Sequence, residues 1–204
     1  MGRENLQQAF GNIDIYLFDQ LLKGRFDDCK KVGDIGCGYG RNLVYFLKNG
    51  FEVYGIDQNE EAILEVQRLS KEVQITNPIS NFSVALVEDL PFDDDFFDLV
   101  ICSAVLHFAK DTDHFNEMVR SIWRVMKPGG FLFARLASDI GIEHLVMNIG
   151  NGRFRLPDGS DRFLVNQQML LNYTARLNAQ LFEPIKTTNV QNVRCMTTWC
   201  IQKL

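Results

Sequence analysis

The chain has 204 residues, 46% of them hydrophobic and 23% charged, so length and composition predict one globular domain over residues 1–204. The net charge of −5 and the isoelectric point near 5.2 disfavour nucleic acid as a partner, because nucleic-acid-binding domains carry basic patches. No apolar run reaches the roughly 18 residues of a membrane span, the first residues lack a signal-peptide core, and the five cysteines form no Cys-x-x-Cys motif, so we expect a cytoplasmic protein with no membrane segment.

The first predicted element is a helix over residues 4–23. Apolar side chains recur there close to the helical period, and Gly11 alone interrupts them: Leu6, Phe10, Ile13, Leu17 and Leu21. Gly24 follows as the stop signal. We therefore expect one amphipathic helix packed on the rest of the domain.

Residues 31–42 predict a strand, a glycine turn and the start of a helix. The turn itself is Gly36-Cys37-Gly38-Tyr39-Gly40. Glycine is favoured in such a turn because it adopts positive φ and lets a ligand approach the backbone closely. A strand, glycine turn and helix in this order are typical of the place where an α/β sheet binds a nucleotide-like ligand.

The spacing of these glycines differs from the dinucleotide fingerprint, which has glycine at its first, third and sixth positions. Counted from Gly36, the sixth position is Arg41. Asp34, two residues before Gly36, would repel a diphosphate and attract an ammonium group. The turn therefore favours S-adenosylmethionine, which has a zwitterionic amino-acid end, over NAD, and it argues against an NAD-dependent reductase.

Strands and helices alternate through most of the remaining chain, which predicts a parallel α/β sheet. Strands are predicted at 51–57, 82–87, 97–102, 131–136, 181–186 and 194–201, and helices at 59–70, 111–126 and 166–178. Residues 137–165 interrupt this alternation with many glycines and little periodicity. A loop that long is usually functional, and it leaves a strand on the ligand side of the sheet, so we expect it to help form a substrate pocket.

Four segments, in this order, resemble the motifs of the class I S-adenosylmethionine-dependent methyltransferases. They are residues 33–40, Asp57, residues 88–98, which contain the sequences Glu-Asp-Leu-Pro-Phe and Phe-Asp, and residues 123–131. The resemblance implies a Rossmann-like, doubly wound, seven-stranded and mostly parallel sheet with its last strand antiparallel and helices on both faces. It also implies methyl transfer from S-adenosylmethionine by in-line displacement, with positioning of the acceptor as the main catalytic effect.

The resemblance implies a role for several individual residues. Asp57 would accept hydrogen bonds from both ribose hydroxyls, although it could instead be the N-cap of the next helix, for which Asn59 is better placed. Asp89 would accept a hydrogen bond from the adenine amino group, and Leu90 would pack on the adenine ring. The full implied cofactor set is Asp34, Gly36, Cys37, Gly38, Gly40, Asn42, Asp57, Gln58, Glu88, Asp89, Leu90, Ser103 and Ala104.

The resemblance extends loosely to the small tellurite-resistance and thiopurine methyltransferases, through the loop after 131–136 and the closing Thr-Thr-Trp strand. This predicts a small-molecule acceptor. The Asn-Pro-Pro-Tyr and Asp-Pro-Pro-Tyr signatures of adenine and glutamine methyltransferases are missing, and so is the Pro-Cys pair of cytosine C5 chemistry. Methylation of a protein or RNA, and a catalytically inactive binding module, remain as alternatives.

Candidate substrate and catalytic residues follow from position. His107 is the candidate general base, with a structural histidine as the alternative. Tyr16 or Phe10 of the N-terminal helix would touch the ligand, unless that helix only packs on the sheet. His144 with Glu143 is too small a set to predict a metal site.

Three arginines of the 137–165 loop are candidates for holding an anionic acceptor by charge-assisted hydrogen bonds. They are Arg153, Arg155 and Arg162. The alternative is that they pair with Asp158 and Asp161 on the surface, where ion pairs contribute little.

Overall fold

A mixed β-sheet runs through the centre of the computed structural model, which describes residues 3–73 and 77–204. Its strands are β1 Lys31–Ile35, β2 Glu52–Asp57, β3 Phe82–Val84, β4 Phe97–Ser103, β5 Met126–Ser138, β9 Ala179–Leu181, β10 Lys186–Val190 and β11 Arg194–Lys203. Strands β6 Met147–Gly150, β7 Arg153–Arg155 and β8 Asp161–Phe163 form a second, smaller sheet.

The order of strands in the main sheet is β3-β2-β1-β4-β5-β11-β10. The first five are parallel, and β11 runs antiparallel to β5. Both β9 and β10 pair with β11, β9 with its end and β10 with its beginning, so they share one strand position that is broken at Pro184. The sheet therefore has seven strand positions with the last strand of the chain antiparallel, which confirms the predicted fold.

Helices cover both faces of the sheet. One face carries α2 Ile15–Leu22, α3 Val44–Lys48 and α4 Glu60–Glu72, and the other carries α5 Thr112–Val125 and α6 Gln167–Arg176. Strand β4 is buried on both sides: Leu99 and Ile101 pack into the first layer, Val100 and Cys102 into the second. The sequence of such a strand is a continuous apolar run because neither face of the strand is exposed to water. None of the helices within 3–73 and 77–204 is long and apolar enough to cross a membrane.

The N-terminal segment differs from the single helix predicted over residues 4–23. It forms α1 Arg3–Phe10 and α2, separated by a turn. Gly11 has φ +62°, which ends α1, and Asp14 starts α2 as its N-cap by accepting a hydrogen bond from Tyr16 N. The apolar stripe continued through the break because both helices pack on the same layer, so periodicity alone did not reveal it.

The segment 137–165 is not the irregular loop that its glycines suggested. After β5 it forms the antiparallel sheet β6-β7-β8, which packs through Leu156 and Leu164 against Ala137 near the end of β5. Two strand predictions also shift. The hairpin partner of the last strand is β10 rather than residues 181–186, and the strand predicted at 82–87 ends at Val84.

At the amino-terminal end of the sheet, Asp98 joins three strands. Its Oδ2 accepts hydrogen bonds from Lys31 N at 2.7 Å and Lys30 N at 2.9 Å, and its Oδ1 accepts one from Lys127 Nζ at 2.6 Å. Burial raises the pKa of this carboxyl, but the Lys127 ammonium and the two backbone N–H groups outweigh burial and lower the pKa below its ordinary value. The ionised form is therefore the one that stabilises the fold.

We predict that Asp98→Asn lowers the free energy of unfolding at pH 7 by about 1.5–3 kcal/mol, the usual size for hydrogen bonds to a charged group. Because the folded-state pKa is depressed, this stabilisation is present above the unfolded pKa of about 4 and is lost as the pH falls through the lower folded value. Urea unfolding at pH 7, 5, 4 and 3 measures it.

Asp94→Asn is the matched control. Asp94 forms an ion pair with Arg124 at 3.0 Å, but the Asp94 side chain is 74% exposed. We expect this control to change the free energy of unfolding by less than about 1 kcal/mol. A penalty for Asp98→Asn that stays the same from pH 7 to pH 3 would contradict the role of its charge.

Candidate active site

Two cavities meet at the carboxyl ends of β1 and β4, where the chain order of the sheet reverses. This point is the usual ligand site of an open α/β sheet. One cavity, of about 580 Å³, is lined by four arginines, and we call it the arginine cavity. The other, of about 630 Å³, contains Asp57 and is called the Asp57 cavity. Gly36, Gly38 and Ala104 line both, so the cavities form one cleft.

The glycine turn is fixed against β2 and open towards the cleft. Gly36 N and Cys37 N both donate to Ile56 O, at 2.7 and 2.9 Å. Gly36 has φ +77°, and a Cβ there would overlap the Val105 side chain. Gly38 has φ +51°, and a Cβ there would meet nothing within 4 Å. The backbone of the turn is therefore accessible to a ligand at Gly38 and closely packed at Gly36.

Two predicted cofactor residues lie behind the turn and do not line the cleft. Gly40 faces α4, where a Cβ would approach Leu69 and Val66 at 3.0 and 3.1 Å, so its role is packing. Asp34 is 1% exposed, and its Oδ2 has no hydrogen-bond partner in the described part of the chain. Burial, opposed by Arg41, raises the pKa of Asp34 to about 7.

Asp57 connects the turn to the next helix. Its Oδ2 accepts a hydrogen bond from Gly38 N at 2.8 Å, and its Oδ1 accepts one from Asn59 N at 2.9 Å. The N-cap of α4 is Asn59, whose side chain accepts from Glu61 N. Each Asp57 oxygen keeps a second lone pair, and both Asp57 and Gln58 line the Asp57 cavity.

Of the predicted acidic pair, Glu88 lines the Asp57 cavity and Asp89 does not. Asp89 N donates to Leu86 O, and this turn places the Asp89 side chain in a separate groove beside Arg124 on α5. Leu90 is 3% exposed and belongs to the core, so it also lies outside the cavity. The apolar residues that do line this cavity went unrecognised in the sequence: Ala85, Leu86, Val87, Val105, Phe108 and Met118.

Glu88 has a basic neighbour in the same cavity. His114 Nε2 lies 3.0 Å from Glu88 Oε1, and His114 Nδ1 accepts a hydrogen bond from Lys110 N at 3.1 Å. The contact with Glu88 is a close approach of the two side chains without hydrogen-bond geometry, and both line the wall of the cavity.

The arginine cavity brings together cations from four parts of the chain. Arg41 follows the glycine turn, Arg135 is on β5, Arg162 is on β8, and Arg194 begins β11. Among the described residues that line it, Asp158 is the one carboxylate. Arg162 had been a candidate. The sequence did not predict that the other three arginines would meet, because positions 41, 135 and 194 are far apart in the chain. Cys37, Asn42, Ser103 and Ala104, predicted to bind the cofactor, also line this cavity.

His107 lines the arginine cavity and is 6% exposed. Burial, together with the positive charge of Arg162, lowers the pKa of His107 to about 4, so the ring is neutral at pH 7. Its Nδ1 accepts a hydrogen bond from Ala137 N at 3.3 Å, which leaves the proton on Nε2. In this tautomer His107 offers the cavity an N–H donor instead of a basic nitrogen.

Asp14 fastens the N-terminal helices to this cavity. Its carboxylate is 2% exposed, and Oδ2 lies 3.2 Å from Arg135 Nη1 and 3.3 Å from Arg41 Nη2. The same oxygen accepts from Ser103 Oγ at 3.4 Å, while Oδ1 accepts from Tyr16 N at 3.0 Å. One buried carboxylate from the N-terminal segment thus holds two of the four arginines.

Other predicted residues serve this attachment or lie on the surface. Asn42 Oδ1 accepts a hydrogen bond from Asp14 N at 3.0 Å. The Tyr16 hydroxyl is hydrogen-bonded to Thr188 on β10, and Phe10 stacks on Tyr45. Neither aromatic ring lines the arginine cavity or the Asp57 cavity. These contacts favour the packing role that was the alternative for this segment.

The remaining two loop arginines are outside the cleft. Arg155 pairs with Asp161, as the surface alternative proposed, and Arg153 Nη2 donates to Asp161 O at 3.5 Å. Within residues 3–73 and 77–204, no three His, Cys, Asp or Glu side chains converge as metal ligands would.

Comparisons with known proteins agree with this arrangement. The family model described as "Methyltransferase domain" matches residues 33–134, which is half of the chain. The uncharacterized methyltransferase sll0829 of Synechocystis sp. is 34% identical over 101 residues, which cover 50% of this chain and 44% of that protein. The ubiquinone biosynthesis O-methyltransferase of Pseudomonas putida is 30% identical over 134 residues, 60% of this chain and 55% of that protein.

Among solved structures, an S-adenosylmethionine-dependent methyltransferase of Methanosarcina mazei superimposes with a TM-score of 0.68 at 22% identity, covering 90% of this chain and 97% of that one. At that identity the likeness shows the fold. The chain spans about half the length of the curated relatives it matches.

We predict that Asp14→Asn destabilises the protein. This substitution removes the charge of Asp14 but retains a side-chain oxygen that can accept the capping hydrogen bond from Tyr16 N. It should lower the free energy of unfolding by about 1.5–3 kcal/mol. This is less than the loss from a fully buried pair, because Arg41 is 46% exposed. Asp14→Ala also removes the cap and should cost about 1 kcal/mol more. Urea unfolding measures both.

Asp19→Asn, on α2, is the control. Asp19 pairs with Lys23 at 2.7 Å, but its side chain is 40% exposed, so its loss should cost less than about 1 kcal/mol. If Asp14→Asn is no more destabilising than Asp19→Asn, the buried ion pairs do not hold the N-terminal helices in place.

Proposed function

Because the chain belongs to the class I S-adenosylmethionine-dependent methyltransferases, we propose that it transfers a methyl group to a small-molecule acceptor bound in the arginine cavity. One observation supports this most directly. The two cavities differ in charge and meet at the glycine turn, so a cofactor in the Asp57 cavity and an acceptor in the arginine cavity would face each other across Gly36, Gly38 and Ala104.

The residues of the Asp57 cavity fit the adenosine end of S-adenosylmethionine. The free lone pairs of Asp57 suit the two ribose hydroxyls. Glu88 replaces Asp89 as our candidate acceptor for the adenine amino group, because Glu88 lines the cavity. Leu86 and Met118 supply apolar surface for the ring.

The glycine turn and its neighbours fit the amino-acid end. Gly38 leaves room for a ligand at the backbone where the two cavities join, and Arg41, which lines the arginine cavity, would meet a carboxylate that extends past this turn. Asp34 is buried behind this turn with a pKa raised to about 7, and its ionised form would favour a positive charge in front of the turn. The polar atoms needed for both ends are therefore present, although Asp34 would act through the turn and not by contact.

S-adenosylmethionine, when bound, supplies a methyl group on a positively charged sulfur that is already an activated leaving group. The chain is then required to hold the acceptor in line and to exclude water, and orientation of this kind supplies much of the rate. Ala137, Leu156 and Met196 supply apolar surface on the acceptor side, against which a bound acceptor would displace water.

His107 is proposed to orient the acceptor and not to deprotonate it. Its Nδ1 is occupied by Ala137 N–H, and burial opposes the charged imidazolium that a base would become. An acceptor atom that is already a good nucleophile at neutral pH, such as a thiolate, a chalcogen oxyanion or an acidic phenolate, suits this site. The loose resemblance to the tellurite-resistance and thiopurine methyltransferases supports acceptors of this kind.

The alternatives are less well supported. A binding module without catalysis would have no need for an acceptor cavity of about 580 Å³ beside the cofactor residues. Methylation of RNA is disfavoured by the net charge of −5. The matched Pseudomonas putida relative is named for O-methylation in ubiquinone biosynthesis, which favours a small acceptor for this chain as well.

We predict that calorimetry detects binding of S-adenosylmethionine and S-adenosylhomocysteine and none of NADH. Asp57→Ala should weaken cofactor binding roughly ten- to a hundredfold, since hydrogen bonds to a charged group contribute about 1.5–3 kcal/mol. Asp89→Ala is the control, because Asp89 lies outside the cavity and should leave the dissociation constant unchanged. Equal effects of the two changes would contradict the role given to Asp57.

We further predict that the protein releases S-adenosylhomocysteine when it is supplied with S-adenosylmethionine and one or more acceptors from a panel of thiols, amines, phenols and chalcogen oxyanions. His107→Gln keeps an N–H donor and should retain turnover within about tenfold, whereas loss of a general base would reduce it by about 10²–10⁴. Tight cofactor binding with no product from any acceptor would favour the inactive binding module.

A further inference from the structure

We propose that the acceptor carries an anionic group, a carboxylate or a phosphate, on an apolar frame, and that Arg162 and Arg194 bind that group. This inference rests on the proposed function, because it names the class of molecule that the arginine cavity accepts.

The four arginines of the cavity outnumber the two carboxylates beside them, Asp14 and Asp158, so the cavity keeps a net positive charge. Arg41 and Arg135 share the buried carboxylate of Asp14. Neither Arg162 nor Arg194 forms an ion pair within the described part of the chain. A positive surface of this kind inside a protein with a net charge of −5 is a local feature of the cavity. It favours an anionic ligand.

Arg162 is held in place by contacts that leave donors free. Its Nη1 donates to Asp161 O at 2.8 Å, and its guanidinium lies 5.0 Å from the centre of the Phe108 ring. Stacking of this kind orients the planar fork without neutralising its charge. Arg162 is also close enough to His107 to depress the pKa of that ring, so the guanidinium and the His107 N–H act on the same region.

Arg194 approaches the same region from the C-terminal hairpin. It begins β11, opposite Val190 at the end of β10, and both residues line the cavity. Its side chain makes no hydrogen bond to the residues that the structure describes. Arg194, Arg162 and Asp158 all line this cavity.

Asp158 does not cancel these charges by pairing with them. Its Oδ1 accepts hydrogen bonds from Ser160 N at 2.9 Å and Ser160 Oγ at 2.6 Å, which fixes the turn before β8. These two hydrogen bonds are also the largest causes of the lowered pKa of Asp158. Asp158 therefore offsets one of the two positive charges without forming a salt bridge to either guanidinium group, and a ligand anion would meet the remaining net positive charge.

The other side chains of the cavity indicate the rest of the acceptor. Four apolar side chains also line the cavity: Ala137, Leu156, Val190 and Met196. An inorganic oxyanion would leave this surface uncovered, whereas an aromatic or branched carbon frame would bury it. The combination selects an amphipathic anion, bound by its charged end at the arginines with its reactive atom directed towards the glycine turn.

Binding can be tested without knowing the natural acceptor. Benzoate, phenyl phosphate and benzamide are titrated into the full chain saturated with S-adenosylhomocysteine. The two anions should bind at least tenfold more tightly than neutral benzamide. Arg162→Gln and Arg194→Gln should each weaken anion binding about tenfold or more and leave benzamide unaffected, while Arg162→Lys should retain part of the affinity.

Arg155→Gln is the matched control, because Arg155 lies on the same small sheet but pairs with Asp161 outside the cavity. It should leave every dissociation constant unchanged. Equal binding of anion and amide, failure of all anions to bind, or equal losses in Arg155→Gln and the cavity variants would each overturn the proposal. Preference for benzoate or for phenyl phosphate identifies which anion the arginines select.

Turnover separates this inference from the proposed function. Acceptors are compared in pairs that differ in charge, mercaptobenzoate with mercaptobenzamide and hydroxybenzoate with hydroxybenzamide. The arginine variants should raise the KM of the anionic member about tenfold with kcat nearly unchanged, because a remote handle binds ground and transition states equally. Equal turnover of both members overturns the inference and leaves methyl transfer standing. Absence of product from every acceptor, despite selective anion binding, overturns the methyl transfer alone.

Discussion

The cleft depends on the close approach of Gly36 to Val105. Strands β1 and β4 separate at this point, and the chain must turn towards β2 with positive φ while the Val105 side chain occupies the space of a Cβ. A residue with a side chain would have to move the end of β4 away from β1. Ala104, which also has positive φ, would move with it. Both cavities include Gly36 and Ala104, so one backbone approach sets the position of their shared boundary.

Carboxylates that satisfy backbone groups organise the structure around this point. Asp57 joins the turn at Gly38 to the start of α4, and Asp98 joins the beginnings of three strands at the opposite end of the sheet. Asp14 instead offsets one of the two positive charges of Arg41 and Arg135, which share it, and caps α2. In each case one short acidic side chain joins donors from more than one element of the fold.

The sequence was sufficient to predict the parallel sheet and the glycine turn, and to select Asp57 as a residue of the cleft, because apolar runs and local spacing encode them directly. It was insufficient wherever distant segments meet. The arginine cavity combines residues 41, 135, 162 and 194, and no local pattern relates them. The acidic pair showed a similar limit: the motif identified residues 88 and 89, but the direction of a tight turn decided that Glu88 faces the cavity. Glycines in 137–165 suggested a loop, although they also fit the turns of a small antiparallel sheet.

The separation of charge across the glycine turn has a consequence for catalysis. Asp57 and Glu88 line one cavity, together with Lys110, and the four arginines line the other, so a positively charged methyl donor and an anionic acceptor would each be drawn to a different cavity. Transfer of a methyl group from a cation to an anionic nucleophile reduces charge, and apolar walls favour such a step because less charge remains to be solvated. The arginines would weaken this advantage if they bound the reacting atom itself. Holding a separate anionic group gives selection of the acceptor without stabilising its nucleophile.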